Sequence, residues 1–159
     1  VVKSFLSFHK YAPAAKLYMI FHSTRLLESI KALLRSEEQY NDAVVLVGKI
    51  SHENMQEWYN SADFLVSGSH KESYGVAVCE AMSCGCIPLV TDISSFRLMT
   101  GDGACGFRYK PGDENALFEL LLNTKNMDIE EESRKAISQF NNKLSFKAVA
   151  ENIHHIISG

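Results

Sequence analysis

The feature that most constrains the fold is an alternation of two hydrophobic patterns along the chain. Stretches with apolar residues at helical spacing alternate with short runs that are apolar at nearly every position, such as Ile87–Thr91. Short, continuously apolar strands separated by helices are typical of a parallel sheet that helices cover on both faces. The sequence therefore predicts an α/β fold with a Rossmann-like, doubly wound parallel sheet, in which ligands bind at the carboxyl ends of the strands.

The pattern divides the chain into five strands and eight helices. The strands are predicted at 17–21, 43–47, 64–66, 87–91 and 106–109. The helices are predicted at 2–11, 24–35, 52–59, 75–83, 96–99, 114–122, 129–140 and 145–157. Ser23, Ser51 and Asp113 are the expected N-caps of three of these helices.

Length and composition narrow the class of protein. A chain of 159 residues suits one domain, and 46% hydrophobic residues are enough for a sizeable core. A net charge of -3 argues against nucleic acid as a partner, and no apolar run reaches the ~18 residues of a membrane span. No signal peptide is recognisable. Because a helix is already under way at Val1, we expect the chain to be a fragment of a longer protein.

The cysteines predict free thiols. Three of the four lie within eight residues, at Cys79, Cys84 and Cys86, and the fourth is Cys105. Pairing the three would need awkward local geometry, and their spacing does not match a zinc site. We therefore expect reduced, largely buried thiols in a cytoplasmic protein.

The stretch 64–85 carries the chemistry. A strand ends near Ser67, a polar loop contains Glu72, and Gly75 opens a helix that contains Glu80. The start of a helix presents unpaired N–H groups and a partial positive charge, which together form a phosphate cradle. We predict that these amides bind phosphate, that Glu72 binds hydroxyls of a transferred sugar, and that Glu80 binds the ribose of a nucleotide. The alternative is that Glu72 only complements the helix dipole and Glu80 is solvated.

This stretch resembles the signature of the group 1, or family 4, retaining glycosyltransferases: Glu, seven residues, Glu, and then Ala-Met-x-x-Gly-x-Pro. Seven residues separate Glu72 from Glu80. The other signature positions follow, with one extra residue before the proline, at Ala81, Met82, Gly85 and Pro88. Further likenesses extend over nearly the whole chain, at 47–53, 61–63, 69, 92, 106, 111–113 and 144–150.

The resemblance implies the donor-binding half of a two-domain GT-B enzyme. Such an enzyme transfers a hexose from a nucleoside-diphosphate sugar with retention of configuration, and needs no metal because basic residues and helix-end amides stabilise the leaving diphosphate. Glu72 is then the catalytic residue. The implied donor-binding residues are Glu80, Ser73, Tyr74, Gly75, Val76, Gly48, Lys49 and Ser51, the last three near the nucleotide base.

The resemblance also implies what lies outside the chain. The acceptor, a glycan or a lipid-linked molecule, would bind an N-terminal domain that this sequence is expected to lack. We therefore expect the isolated 159 residues to be inactive. The family's first donor-domain strand and its diphosphate-binding basic pair would precede Val1. We expect the full-length enzyme to work in the cytoplasm, with peripheral association at the cytoplasmic face of the membrane.

Some positions depart from the family pattern. Ser73 replaces a common glycine, Ser94-Ser95 replaces a glycine pair, and Arg97-Leu98 replaces Pro-Glu. The loop that contains the last two changes approaches the sugar and diphosphate in relatives, so donor preference is in question.

Other residues received a plainer interpretation. His70 is a candidate contact for donor or acceptor, whereas Trp58 and Tyr59 are expected to pack rather than stack on a base. We expect Arg108 and the pair His154-His155 to lie on the surface. Two other functions remain open: another GT-B enzyme, such as a sugar-nucleotide epimerase or a phosphorylase, and a non-catalytic module that binds a nucleotide.

Overall fold

A computed structural model describes residues 1–37 and 42–158 of the chain. The strands in this part are β1 (Leu17–Ile20), β2 (Val44–Gly48), β3 (Phe64–Ser67), β4 (Ile87–Thr91) and β5 (Phe107–Tyr109). The helices are α1 (Val2–His9), α2 (Leu27–Ser36), α3 (His52–Asn60), α4 (Val76–Ser83), α5 (Ser94–Met99), α6 (Glu114–Thr124), α7 (Ile129–Gln139) and α8 (Phe146–Ser158). A π-helical segment, Phe140–Leu144, follows α7.

The strand pairings are parallel throughout the described residues, as predicted. They form one sheet of β1 and β2 and another in the order β3-β4-β5. The chain divides into two compact units: residues 1–55 with 114–125, and residues 56–113 with 126–159. Each sheet belongs to one unit.

The first unit contains β1, β2, α1, α2 and α6. Helix α1 packs against α6, and the Ser4 hydroxyl donates a hydrogen bond to the Glu114 carbonyl at 2.9 Å. Phe5 and Leu6 of α1, and Leu117 of α6, are buried. The apolar stripes that predicted these two helices thus supply core residues of this unit.

The second unit is built around β4. All five residues of this strand are buried between β3 and β5, which explains its continuously apolar sequence. Helices α4 and α7 contact β4. The core next to it consists of Val78, Cys79, Met82, Val90, Phe96, Met99, Cys105 and Ala136.

Every predicted element is present, but α2 and α5 begin at other residues than expected. Helix α5 starts at Ser94, two residues before the predicted start at Phe96. Helix α2 was expected to start at Thr24 with Ser23 as its cap, but it starts at Leu27. The Leu27 N–H donates to the Thr24 carbonyl at 2.9 Å, so a tight turn precedes the helix. Leu26, which precedes the helix, is 59% exposed. None of the described helices has the length and apolar composition needed to cross a membrane.

Candidate functional site

The site begins where β3 ends and α4 begins, as the sequence predicted. Gly75 is the N-cap of α4 and has the left-handed φ of 81°. A Cβ atom at Gly75 would lie 2.8 Å from Phe96 Cε1 and 3.3 Å from Glu72 Cγ, so only glycine lets the loop pass this closely. The first amides of α4 have no partner within the helix and are the groups suited to bind an anion.

Glu72 lies in the loop just before this helix and is exposed. Its Oε1 atom accepts a hydrogen bond from the Ser73 N–H at 3.1 Å, which restrains the side chain next to the start of α4. Ser73, Tyr74 and Val76 are also exposed, and Tyr74 and Val76 are 45% and 59% accessible. The loop therefore offers a carboxylate to solvent together with the helix-end residues that the sequence singled out.

Glu80 is half-buried on α4 and has a partner that the sequence did not reveal. The Tyr59 hydroxyl donates a hydrogen bond to Glu80 Oε2 at 3.3 Å. Burial, with Glu80 as a further cause, raises the pKa of Tyr59, so the hydroxyl keeps its proton at neutral pH and can act as this donor. Tyr59 is 7% exposed, which confirms that it packs; its role in orienting Glu80 was missed because 21 residues separate the two.

A cavity of about 340 Å³, called here the Glu72 cavity, opens beside this loop. It is lined by His70, Lys71, Glu72, Asp92, Ile93, Ser94, Ser95 and Arg97. The structure thus brings Glu72 together with the α5 segment in which the chain departs from the family pattern. His70, a candidate contact, also lies on this wall.

Asp92 stands at the carboxyl end of β4 and is held by two guanidinium groups. Arg97 Nε and Nη2 donate to Asp92 Oδ1 and Oδ2, both at 2.7 Å, and Arg108 Nε donates to Oδ1 at 3.1 Å. The Arg97 hydrogen bond is the main cause that lowers the pKa of Asp92, so this carboxyl stays ionised well into the acidic range. A second cavity, of about 320 Å³, also borders Asp92.

Arg108 is not the surface residue that the sequence suggested. Its side chain is only 21% exposed and also donates to Thr100 Oγ1 at 3.0 Å and to Asp102 Oδ1 at 2.9 Å. The prediction was wrong because Asp92, 16 residues away at the end of β4, meets Arg108 only through the pairing of β4 with β5.

The remaining predicted donor-binding residues lie in the first unit. Gly48 ends β2 with a φ of 82°, Lys49 is exposed after it, and Ser51 immediately precedes α3. Within residues 1–37 and 42–158, no group of three or more His, Cys, Asp or Glu side chains is placed to hold a metal ion.

Comparison with known proteins identifies the family of this chain. Solved glycosyltransferases of the GT-B kind share this architecture of parallel strands and helices. The family model for glycosyl transferases group 1 matches residues 27–143, about three quarters of the chain. The chain therefore belongs to the group 1 glycosyltransferases.

Individual relatives are similar over different extents. A D-inositol 3-phosphate glycosyltransferase from Streptosporangium roseum is 30% identical over 66 residues, 42% of this chain and 15% of the relative. Sucrose-phosphate synthase from Thermosynechococcus elongatus superposes with a TM-score of 0.79 at 20% identity, over 99% of this chain and 41% of that one. The C-terminal domain of LpcC from Francisella tularensis gives 0.79 at 19% identity, over 91% and 77%. Matches to the curated relatives span less than a fifth of their length.

Proposed function

We propose that the chain binds the donor in a retaining glycosyltransferase that transfers a hexose from a nucleoside-diphosphate sugar to a glycan or lipid-linked acceptor. The observation that carries this proposal is the placement of Glu72 between the α4 N-terminus and the Glu72 cavity. An anion at the helix end and a hydroxyl-rich ring in the cavity would then be bound by neighbouring groups.

Structural neighbours support the nature of the donor. A TarM variant from S. aureus was solved with UDP and alpha-GlcNAc-glycerol, pneumococcal GtfA with UDP and GlcNAc, and HepE from Anabaena with UDP and glucose. We infer by analogy that a nucleoside diphosphate and its sugar are the ligands of this chain.

Different residues are proposed to bind different parts of the donor. The amides at the start of α4, at Gly75 and Val76 and next to Ser73 and Tyr74, bind the diphosphate and stabilise the negative charge as it leaves. Glu72 accepts hydrogen bonds from hydroxyls of the transferred hexose. Glu80, oriented by Tyr59, accepts hydrogen bonds from the ribose hydroxyls. Gly48, Lys49 and Ser51 are proposed to serve the nucleotide base.

The proposed transfer proceeds on one face of the sugar. The bond from the anomeric carbon to the diphosphate oxygen breaks, and the acceptor oxygen forms its bond to that carbon on the same face. The acceptor's proton passes to the departing diphosphate. We propose that no metal is needed, because backbone amides supply the electrostatic stabilisation; unchanged nucleotide affinity in the presence of EDTA would support this point.

We place the reaction in the cytoplasm, with any membrane association peripheral. The four cysteines support this location, because all are unpaired and a reducing compartment keeps thiols in that state.

The test is a calorimetric titration of the 159-residue chain with UDP, GDP and ADP and with their hexose conjugates. One nucleotide is expected to bind selectively. Glu80→Gln, which keeps a partner for Tyr59, is expected to weaken the nucleotide and its hexose conjugate alike, by about tenfold, since a hydrogen bond to a charged group contributes ~1.5–3 kcal/mol. Glu72→Ala is expected to remove only the gain in affinity that the hexose supplies.

The control variant is Glu119→Ala, an exposed carboxylate of α6, which should bind like the wild type. Unchanged affinities for nucleotide and nucleotide sugar in both the Glu72 and Glu80 variants would contradict the assigned roles. Absence of any nucleotide binding by the wild type would contradict the proposed function of this chain.

A further inference from the structure

Ser95 is the second residue of α5 and lines the Glu72 cavity. Its Oγ atom is shielded from solvent and has no hydrogen-bond partner among the described residues. Buried polar side-chain atoms are nearly always hydrogen-bonded, so the unpaired hydroxyl of a residue that lines this cavity calls for an explanation.

The backbone around Ser95 is held on both sides, which limits how the hydroxyl can find a partner. Arg97 donates two hydrogen bonds of 2.7 Å to Asp92, and these join the two ends of the short segment that contains Ser95. Phe96, the next residue, is 1% exposed and belongs to the core. The remaining freedom of Ser95 is rotation about its Cα–Cβ bond, which exchanges Oγ among three staggered positions.

Ser95 as a whole is only half-buried, so this rotation can carry Oγ from its shielded position to the cavity wall. A hydroxyl both donates and accepts, and Glu72 on the same wall only accepts when ionised. The ligand that complements this pair is a polyhydroxylated ring, with one hydroxyl donating to Glu72 and another paired with Ser95.

We propose that Ser95 is a specificity-determining residue whose hydroxyl binds the transferred sugar, with Asp92 and Arg97 as the residues that position it. The inference rests on the proposed function and deepens it.

The experiment compares Ser95→Ala with the wild type by titration of the 159-residue chain with each nucleotide and its hexose conjugate. The readout is the dissociation constant of the nucleotide divided by that of its hexose conjugate. This ratio isolates the contribution of the sugar. Ser95→Ala is expected to lower this ratio about two- to tenfold, as for the loss of one hydrogen bond, and to leave the affinity for the bare nucleotide unchanged. Ser95→Thr keeps a hydroxyl and is expected to preserve part of the ratio.

Thermal unfolding separates this role from a structural one. Removing an unpaired hydroxyl should leave the Tm of Ser95→Ala unchanged or slightly higher. The matched control is Ser83→Ala, an exposed α4 serine whose hydroxyl donates to the Glu80 carbonyl and which does not line the cavity.

If Ser95→Ala has the same ratio as the wild type, this inference is overturned while the proposed function stands. A drop in Tm without a change in ratio would overturn it too, by making Ser95 structural. A wild type that binds no nucleotide would overturn both.

Discussion

Among single residues, Gly75 determines how closely the loop that contains Glu72 packs against α5. Its φ of 81° is a conformation that L side chains rarely adopt, and Phe96 Cε1 lies 2.8 Å from the position of a Cβ atom. The end of this loop therefore packs this closely against Phe96 only because Gly75 has no side chain.

We predict that Gly75→Ala lowers the free energy of unfolding by about 2 kcal/mol or more, since left-handed backbone strain alone costs ~1–2 kcal/mol. The matched control is Gly48→Ala, because Gly48 has nearly the same φ, 82°, and no atom within 4 Å of a Cβ position. Urea unfolding of both variants separates the cost of the left-handed backbone from the cost of the contact between a Cβ atom and Phe96. Equal destabilisation of the two would show that the contact with Phe96 does not matter.

At the scale of elements, α5 shows how a short helix is held in place. Its six residues are too few to be stable alone. Phe96 and Met99 anchor the helix in the core, and the ion pair between Asp92 and Arg97 secures its start. Exposed ion pairs usually contribute little to stability. A bidentate pair contributes more, and here a second arginine binds the same carboxylate.

We predict a pH dependence from this pair. The pKa of Asp92 is lower in the folded chain than its ordinary value of ~3.9, so its stabilising effect is fully present above about pH 4. The effect is lost as the pH falls through the folded value. Asp92→Asn should therefore unfold at lower urea than the wild type at pH 7, and the difference should shrink below about pH 4.

The control for this measurement is Glu119→Gln, an exposed carboxylate without an ion pair among the described residues. It should follow the wild type closely. A difference between Asp92→Asn and the wild type that is the same at pH 7 and pH 3 would show that charge is not the cause.

At the scale of the whole molecule, all four cysteines fall in the second unit, and they report on its packing. Cys79, Cys86 and Cys105 are buried, and Cys84 is half-buried. Burial raises the pKa of Cys86 to about 12 and of Cys105 to about 11, so their thiols stay protonated at pH 8. The Cys86 thiol also donates to the Tyr59 carbonyl at 3.0 Å.

We therefore predict that a maleimide modifies Cys84 at pH 8 in the native protein and reaches the other three thiols only when urea unfolds the second unit, since the thiolate is the reactive form. Mass spectrometry of proteolytic fragments reads out each site. Cys84→Ser should abolish the native reaction. Native modification of Cys86 or Cys105 at the rate of Cys84 would contradict the packing described here.

The kind and order of the elements could be predicted from the sequence, because hydrophobic periodicity and turn residues act over a few neighbouring positions. Both ends of the strand Ile87–Thr91 were predicted correctly. A short run that is apolar at nearly every position is typical of a central parallel strand. The placement of Glu72, Gly75 and Glu80 around one helix start was also predictable, as all three lie on one continuous strand, loop and helix.

Which groups from distant parts of the sequence meet could be known only from the folded chain. The hydrogen bond from Tyr59 to Glu80, the hydrogen bond from Arg108 to Asp92 and the unpaired hydroxyl of Ser95 depend on how separate loops and helices pack. Local patterns carry no information about those encounters, because each is set by the positions of backbones that only the folded core brings together. For the same reason the sequence placed Arg108 on the surface, whereas the fold places it between two aspartates.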